Sequence, residues 1–212
     1  FDDDSMDAEE NYTRLGQRLN SWLSNQTPAG ILFETDLRLR PNGDSGLLAV
    51  SVEAFRDYQL KNAWTWEHQA LTRARFCAGD TAVGQRFEEI RTEILRLPRD
   101  LAKLKDDVVA MRKKMYDAHS LNSDTDFALK HDPGGIIDVE FIVQYLILGY
   151  AHQHAELTGN LGNIALLRIA GELGLIDPTQ AKAAGNAYRE YRRLQHAKRL
   201  SANPKAPVPR EE

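Results

Sequence analysis

The sequence contains the stretch ILFETDLRLR at residues 31–40, in which apolar and charged side chains alternate. In an extended chain, successive side chains point to opposite faces. The alternation therefore predicts a β-strand with one apolar face and one charged face. The segment PNGDSG at residues 41–46 is rich in turn-forming residues, so residues 47–50 are predicted to return as a second strand.

Outward from this strand, the pattern of the chain is mostly helical. Apolar side chains recur at intervals of three and four residues, the spacing that one face of an α-helix requires. The predicted helices cover residues 8–25, 52–62, 64–71, 80–97, 100–118, 136–156, 161–174 and 177–200. A further short strand is predicted near residues 73–78, and residues 120–133 are predicted to be irregular.

These elements predict an α+β fold that is predominantly α. The predicted parts are a small mixed domain over residues 1–78, an all-α helical bundle over residues 79–202 and a frayed tail over residues 203–212. Hydrophobic residues make up 42% of the 212 residues, which is enough for a sizeable core.

The composition argues against several classes of protein. The formal net charge is −4, whereas a nucleic-acid or membrane-surface binder needs a basic face, so neither partner is expected. The longest apolar run, residues 141–148, is too short to span a bilayer. A single cysteine, Cys77, excludes an internal disulfide and is compatible with a reducing cytoplasm. We expect a cytoplasmic protein in which Cys77 is a small buried residue.

The charged face of the first predicted strand places Asp36 beside Arg38 and Arg40. A carboxylate next to guanidinium groups is suited to a metal–phosphate site, because the acid can hold Mg²⁺ while arginine binds phosphate oxygens. The alternative is a solvent-exposed face whose opposite charges stabilise the sheet. Alternation alone leaves both interpretations open.

The segment WTWEHQALTRAR at residues 64–75 is rich in aromatic rings and ends in two arginines. Its tryptophans could stack on a base or anchor a core, and packing is the commoner role. Glu67 lies within the predicted helix as a supporting residue. Arg73 and Arg75 repeat the alternating cation pattern, so they face either the same site or the solvent.

The segment GGIIDVEF at residues 134–141 places two carboxylates in an otherwise apolar helix. Gly134 and Gly135 allow another backbone or a phosphate to approach the helix N-terminus closely. Asp138 and Glu140 either order a cation or an arginine across a cleft, or simply complement the helix dipole. Because they lie roughly 200° apart around the helix, they are not expected to share a partner.

Three segments, residues 30–46, 64–75 and 134–141, together resemble the glutamine synthetase adenylyltransferase family, the bifunctional adenylyltransferase/adenylyl-removing enzymes. The resemblance implies a polymerase-β-type nucleotidyltransferase domain followed by a helical domain. It implies transfer of AMP from ATP to a tyrosine hydroxyl of glutamine synthetase, with control by glutamine and the P-II signalling protein. The motifs resemble those of the C-terminal, adenylylating half, since the deadenylylating half usually has Arg-Glu where Ile137 and Asp138 stand.

The resemblance also implies roles for single residues. Asp36 matches the third of three carboxylates that hold two Mg²⁺ ions in such enzymes, where it would be both a metal ligand and a catalytic residue. Arg38 and Arg40 would contact phosphate or a partner. The family's Asp-x-Asp pair should precede Asp36, and no such pair stands in a hydrophobic strand there. We therefore expect the nucleotidyltransferase domain to be truncated and the isolated chain to transfer AMP negligibly.

Two other interpretations remain open at this point. One is the deadenylylating half of the same enzyme, which removes AMP by phosphorolysis. The other is a non-catalytic docking module, in which the helices after residue 79 bind glutamine synthetase or the P-II protein.

Overall fold

The computed structural model of the protein describes residues 1–31, 34–119, 123–200 and 208–209. Within these residues the chain is mainly α-helical, with four two-residue strands, which confirms the predicted α-rich α+β class. The helices are α1 Ala8–Ser24, α2 Val52–Lys61, α3 Thr65–Leu71, α4 Thr81–Leu95, α5 Leu101–His119, α6 Ile136–Tyr150, α7 Asn163–Glu172 and α8 Pro178–Leu200. The strands are β1 Gln26–Thr27, β2 Gly30–Ile31, β3 Asp126–Phe127 and β4 Val208–Pro209, and short 3₁₀ turns occur at Gly43–Ser45 and Ala155–Thr158.

Aspartates at helix N-termini explain why three of the predicted helices begin where they do. The Oδ1 atoms of Asp80, Asp100 and Asp177 each accept hydrogen bonds from two backbone N–H groups of the first turn of α4, α5 and α8. These N–H groups have no partner inside the helix, so an acceptor at this position stabilises the helix start. All eight predicted helices are confirmed, with ends that differ by up to a few residues except at the C-terminus of α6.

The chain forms two compact units. The first contains Phe1–Ala70 and Ala74–Ile94, and the second contains Leu71–Arg73 and Leu95–Glu212. Helix α4 thus groups with the mixed unit, although the sequence placed it in the helical domain that begins at residue 79. Ion pairs hold α2 and α4 together, Arg56 with Glu93 and Arg86 with Glu53. The predicted domain limits remain a prediction.

Helix α6 forms the centre of the second unit. It packs against α5, α7 and α8, and side chains such as Ile137, Val143, Ile147 and Leu148 are almost completely buried. Burial of most of its side chains explains why its sequence is largely apolar, although Ile142 is exposed. The polar exceptions are Asp138 and Glu140 near its start and Gln144 in its middle.

The predicted strand over residues 31–40 is wrong for residues 34–40, which form an irregular loop, while residues 32–33 lie outside the described part. A strand needs a partner, and residues 47–50 form no strand that could pair with it. The Asp36 side chain instead accepts a hydrogen bond from the backbone N–H of Arg38, a local bond that competes with sheet formation. The strand predicted near residues 73–78 is likewise absent from this described segment.

The strands that the described residues do form make two short antiparallel pairs at other positions in the chain. β1 pairs with β2 across residues 28–29, and β3 pairs with β4. The second pair lies partly in the segment that was predicted to be irregular and partly in the tail that was predicted to be frayed. Val208 in this tail is buried, whereas the other residues of 203–212, apart from Pro209, lie outside the described residues.

The exposure of Cys77 and the apolar character of the helices can also be compared with the sequence predictions. Cys77 is exposed, so the expectation of a small buried residue is wrong. None of the helices in the described part of the chain combines the length and the apolar character that crossing a bilayer requires.

Candidate functional site

Asp36 lies on the surface of the first unit, with 53% of its side chain exposed. Its Oδ1 atom accepts hydrogen bonds from the backbone N and the Nε of Arg38, both at 3.0 Å, and its Oδ2 accepts one from the same guanidinium at 2.6 Å. The guanidinium, helped by the backbone N–H, holds the pKa of Asp36 well below its ordinary value of 3.8. The carboxylate is therefore ionised throughout the physiological range.

The Asp36 side chain borders a shallow depression of about 630 Å³. Its lining consists of polar and charged side chains apart from one leucine: Asn20, Glu34, Thr35, Asp36, Leu37 and Arg38. The hydroxyl of Thr35 donates to Asn20 Oδ1 and so ties the loop to α1. A polar depression with an ionised carboxylate can bind a cationic or phosphate-bearing ligand.

Arg40 has a structural role in this loop. Its guanidinium donates to the backbone oxygens of Leu37, Asp44 and Gly46 and lies 3.5 Å from the Asp44 carboxylate. These contacts brace the turn that follows, in which Asn42 adopts a left-handed backbone conformation. Most of the donors of Arg40 are thereby used within the protein.

The predicted Mg²⁺ site can be tested against the residues present. No group of three or more His, Cys, Asp or Glu side chains within the described ranges is arranged to hold a metal ion. Both oxygens of Asp36 are occupied by Arg38. By themselves, the residues that the structure describes do not fit a magnesium centre.

Glu67 stabilises the start of α3. Its carboxylate accepts hydrogen bonds from the Tyr58 hydroxyl and from the backbone N–H of Trp64, both at 2.9 Å, and the residue is only 8% exposed. The N–H of Trp64 lies at the helix N-terminus, so the contact is half of a capping box. This geometry gives Glu67 a supporting role within the first unit.

Arg73 and Arg75 differ in their surroundings. The Arg73 guanidinium donates to Asn163 Oδ1 at 3.3 Å and lies 3.9 Å from Glu140 Oε1. Arg75 is exposed, and its side chain makes no hydrogen bond or ion pair with any described residue. The sequence could not distinguish them, because Asn163 lies 90 residues from Arg73 along the chain.

The glycine pair admits a neighbouring backbone to the start of α6. Gly134 has φ +85°, and a Cβ on Gly135 would lie 2.7 Å from the oxygen of Leu129 and 2.9 Å from that of Asp132. The oxygens of residues 129, 130 and 132 accept hydrogen bonds from the N–H groups of Ile136, Ile137 and Gly135 respectively. Of the two approaches that the sequence allowed, backbone or phosphate, the structure shows the backbone.

Asp138 binds an arginine that the sequence did not single out. Its carboxylate accepts hydrogen bonds from Arg112 Nε and from the backbone N–H of Gly134. Arg112 also donates to the oxygens of His131 and Asp132, at 2.8 and 3.3 Å. The two side chains are 14% and 27% exposed, so this pair is largely shielded from water.

Glu140 has different partners, as the helix geometry predicted. The Tyr188 hydroxyl donates to Glu140 Oε1 at 3.2 Å, and the Arg73 guanidinium lies near the same atom. Burial, followed by the charge of Glu140, raises the pKa of Tyr188. The sequence missed Arg112, Asn163 and Tyr188 because each lies outside a motif and meets its partner only through the packing of the helices.

Comparisons with known proteins bear on the same segments. Residues 2–90 match the family model described as glutamate-ammonia ligase adenylyltransferase, and residues 102–205 match the model described as GlnD PII-uridylyltransferase. A protein of Aromatoleum aromaticum named bifunctional glutamine synthetase adenylyltransferase/adenylyl-removing enzyme is 66% identical over 201 residues, which are 95% of this chain and 21% of that protein. The chain is thus similar to the glutamine synthetase adenylyltransferase family.

Other relatives show the same coverage. The Nitrosomonas europaea protein of the same name is 60% identical over 96% of this chain and 22% of its own length, and the Bordetella bronchiseptica protein is 58% identical over 99% of this chain and 22% of its own. The chain thus spans about a fifth of the length of the curated relatives it matches. The predicted resemblance is confirmed.

Proposed function

We propose that this chain takes part in transferring AMP from ATP to a tyrosine hydroxyl of glutamine synthetase, as part of the adenylylating half of the enzyme. The names of the relatives support glutamine synthetase as the target, and both matching family models are named for nucleotidyl transfer. The observation that carries the proposal is the ionised carboxylate of Asp36 at the surface of a polar depression, within the residues that match the adenylyltransferase model.

The exposed pair of Asp36 and Arg38 suits this reaction because it is easily opened. An ion pair in contact with water is only weakly stabilising, so a cation and a phosphate can replace the two partners. Arg38 would then bind phosphate oxygens, with Arg40 keeping the turn in place. Asp36, released from Arg38, would bind positive charge.

Mg²⁺ belongs to the proposal for the whole enzyme. Asp36 would supply one ligand, and further carboxylates must complete the site. When bound, the ion would neutralise part of the negative charge on ATP. The same proposal includes glutamine and the P-II protein as regulators of the whole enzyme.

The second candidate is the removal of AMP from adenylylated glutamine synthetase. It is favoured by the second activity in the names of the relatives. The adenylylating half is preferred because Ile137 and Asp138 stand where the other half usually has Arg-Glu.

A hybrid enzyme separates the two activities. The matching fifth of the Aromatoleum aromaticum relative is replaced by this chain, and Asp36→Asn is compared with Asp57→Asn, an exposed aspartate that pairs with Lys61. Labelled ATP with unmodified glutamine synthetase measures transfer, and adenylylated glutamine synthetase measures removal. We expect Asp36→Asn to lower transfer about 100-fold and to leave removal unchanged. Loss of removal alone would show that the chain belongs to the other half.

The isolated 212-residue chain is proposed to transfer AMP negligibly, because its described residues bring no complete group of metal-binding carboxylates together. The purified chain is incubated with labelled ATP, Mg²⁺ and glutamine synthetase, with the hybrid enzyme as reference. A rate near that of the hybrid enzyme would contradict this part of the proposal.

A further inference from the structure

The arginines predicted to bind phosphate are not equally available. Arg38 uses its Nε and one terminal nitrogen on Asp36 until that pair opens, and Arg40 donates to backbone oxygens of its own loop. Arg75 is exposed, and its side chain makes no hydrogen bond or ion pair with a described residue. Arg73 alone among the four is anchored through one nitrogen while about half of its side chain, 51%, remains exposed.

The anchor of Arg73 consists of groups that are fixed in the second unit. Asn163 is 4% exposed and offers its Oδ1 to one terminal nitrogen of the guanidinium, and the Glu140 carboxylate lies 3.9 Å from that same nitrogen. The Nε and the other terminal nitrogen make no hydrogen bond to any residue that the structure describes. These two donors form the flat edge with which arginine binds two oxygens of one phosphate.

Glu140 is itself held in place. The buried Tyr188 hydroxyl donates to its Oε1, and burial keeps that hydroxyl protonated. The Tyr188 hydroxyl and the Arg73 guanidinium thus meet at the same oxygen of Glu140.

We propose that Asn163 and Glu140 position Arg73 so that its open edge binds a phosphate group. Because one terminal nitrogen of Arg73 is already held, the side chain has less conformational entropy to lose when a phosphate binds. The remaining two donors are therefore organised before binding. Arg73 is the binding residue, and Asn163, Glu140 and Tyr188 are positioning residues. The identity of the phosphate as part of a nucleotide rests on the proposed function, whereas the phosphate site itself does not.

The site is tested on the 212-residue chain by NMR of the arginine Nε–H groups. The Arg73 signal is assigned by its loss in Arg73→Lys, and the control is Arg168, a similarly exposed arginine on α7 that pairs with Glu172. Sodium phosphate and ATP are titrated separately, with sodium acetate at equal ionic strength. We expect the Arg73 signal to shift and saturate with phosphate and with ATP, while Arg168 does not.

The sources of phosphate are distinguished in the same titrations. Tighter binding of ATP than of inorganic phosphate supports a nucleotide site, and equal binding supports a site for phosphate alone. An equal response to acetate, an equal response of Arg168, or no response of Arg73 would overturn the proposal.

The positioning role is tested by variants of Asn163. Asn163→Gln keeps a neutral amide acceptor and should retain most phosphate binding, whereas Asn163→Leu should weaken it about tenfold. In the Arg73→Lys background the further loss caused by Asn163→Leu should disappear, because the bidentate edge is already gone. Circular dichroism confirms that each variant is folded. A loss of the same size in both backgrounds, or no retention of binding in Asn163→Gln, would show a merely structural role.

These results are independent of the Asp36 experiment. Phosphate binding at Arg73 with an active Asp36→Asn hybrid would leave the site intact and reject the proposed function. An inactive Asp36→Asn hybrid without phosphate binding at Arg73 would reject only the site.

Discussion

Two arginine–carboxylate pairs in this chain use the same chemistry in opposite surroundings. In the first unit, Asp36 and Arg38 are neighbours in a loop, with side chains that are 53% and 75% exposed. In the second unit, Asp138 and Arg112 come from different helices and are 27% and 14% exposed. Both carboxylates accept hydrogen bonds from a guanidinium and from a backbone N–H.

The difference in solvent exposure decides which ion pair can exchange its partners and which one stabilises the structure. The exposed pair gains little from its contact because water competes for both charges. In the shielded pair, loss of one partner leaves a charge that water cannot easily reach. The exposed pair is therefore suited to ligand exchange, and the shielded pair to fixing the loop before α6.

The largest expected effect comes from breaking the shielded pair. Asp138→Ala removes the acceptor for Arg112 and for the Gly134 N–H, so we expect the free energy of unfolding to fall by about 3 kcal/mol. Urea unfolding followed by circular dichroism measures the change. Asp36→Ala is the matched control and should lower the unfolding midpoint much less, because its partner Arg38 stays in contact with water. If the two substitutions lower the free energy of unfolding equally, the shielded pair is no more important for stability than the exposed pair.

A smaller effect is expected from the loop that the shielded pair fixes. Gly135→Ala brings a Cβ to 2.7 Å from the oxygen of Leu129, which belongs to backbone and cannot easily move, so we expect a loss of about 2 kcal/mol. Gly162→Ala is the control, because a Cβ at Gly162 meets no atom within 4 Å. If both glycines tolerate alanine equally, the close approach at α6 does not contribute to stability.

The smallest effect concerns the exposed pair and its pH dependence. Because Arg38 lowers the pKa of Asp36 below 3.8, the pair contributes stability above this pH and loses it as the pH falls through the lowered value. Arg38→Gln should return the pKa of Asp36 towards 3.8, as measured by NMR titration of the carboxyl carbon. The stability difference between the chain and this variant should shrink in acid. An unchanged Asp36 titration would show that Arg38 is not the cause.

Helices and caps could be predicted from the sequence because their causes are local. Asp80, Asp100 and Asp177 stand directly before helical patterns and bond to N–H groups within three residues. Whether residues 31–40 form a strand could not be decided from local sequence alone. Apolar and charged residues do alternate there, but a strand also requires a partner, and no described segment pairs with residues 34–40.

For the candidate sites too, contacts between sequence neighbours could be predicted and contacts between distant residues could not. Asp36 with Arg38 could be predicted because the two residues lie two positions apart. The separate partners of Asp138 and Glu140 followed from the angle between them on one helix. Which partners these are, Arg112 and Tyr188, depends on packing across 26 and 48 residues of chain, for which the sequence carried no signal.

The most direct test of this account is the rate at which the hybrid enzyme transfers labelled AMP to glutamine synthetase when Asp36 is replaced by asparagine. The account predicts a rate about 100-fold below that of the Asp57→Asn hybrid, with the unfolding midpoint unchanged. Equal rates in the two hybrids would contradict it, because the exposed carboxylate would then have no part in the reaction.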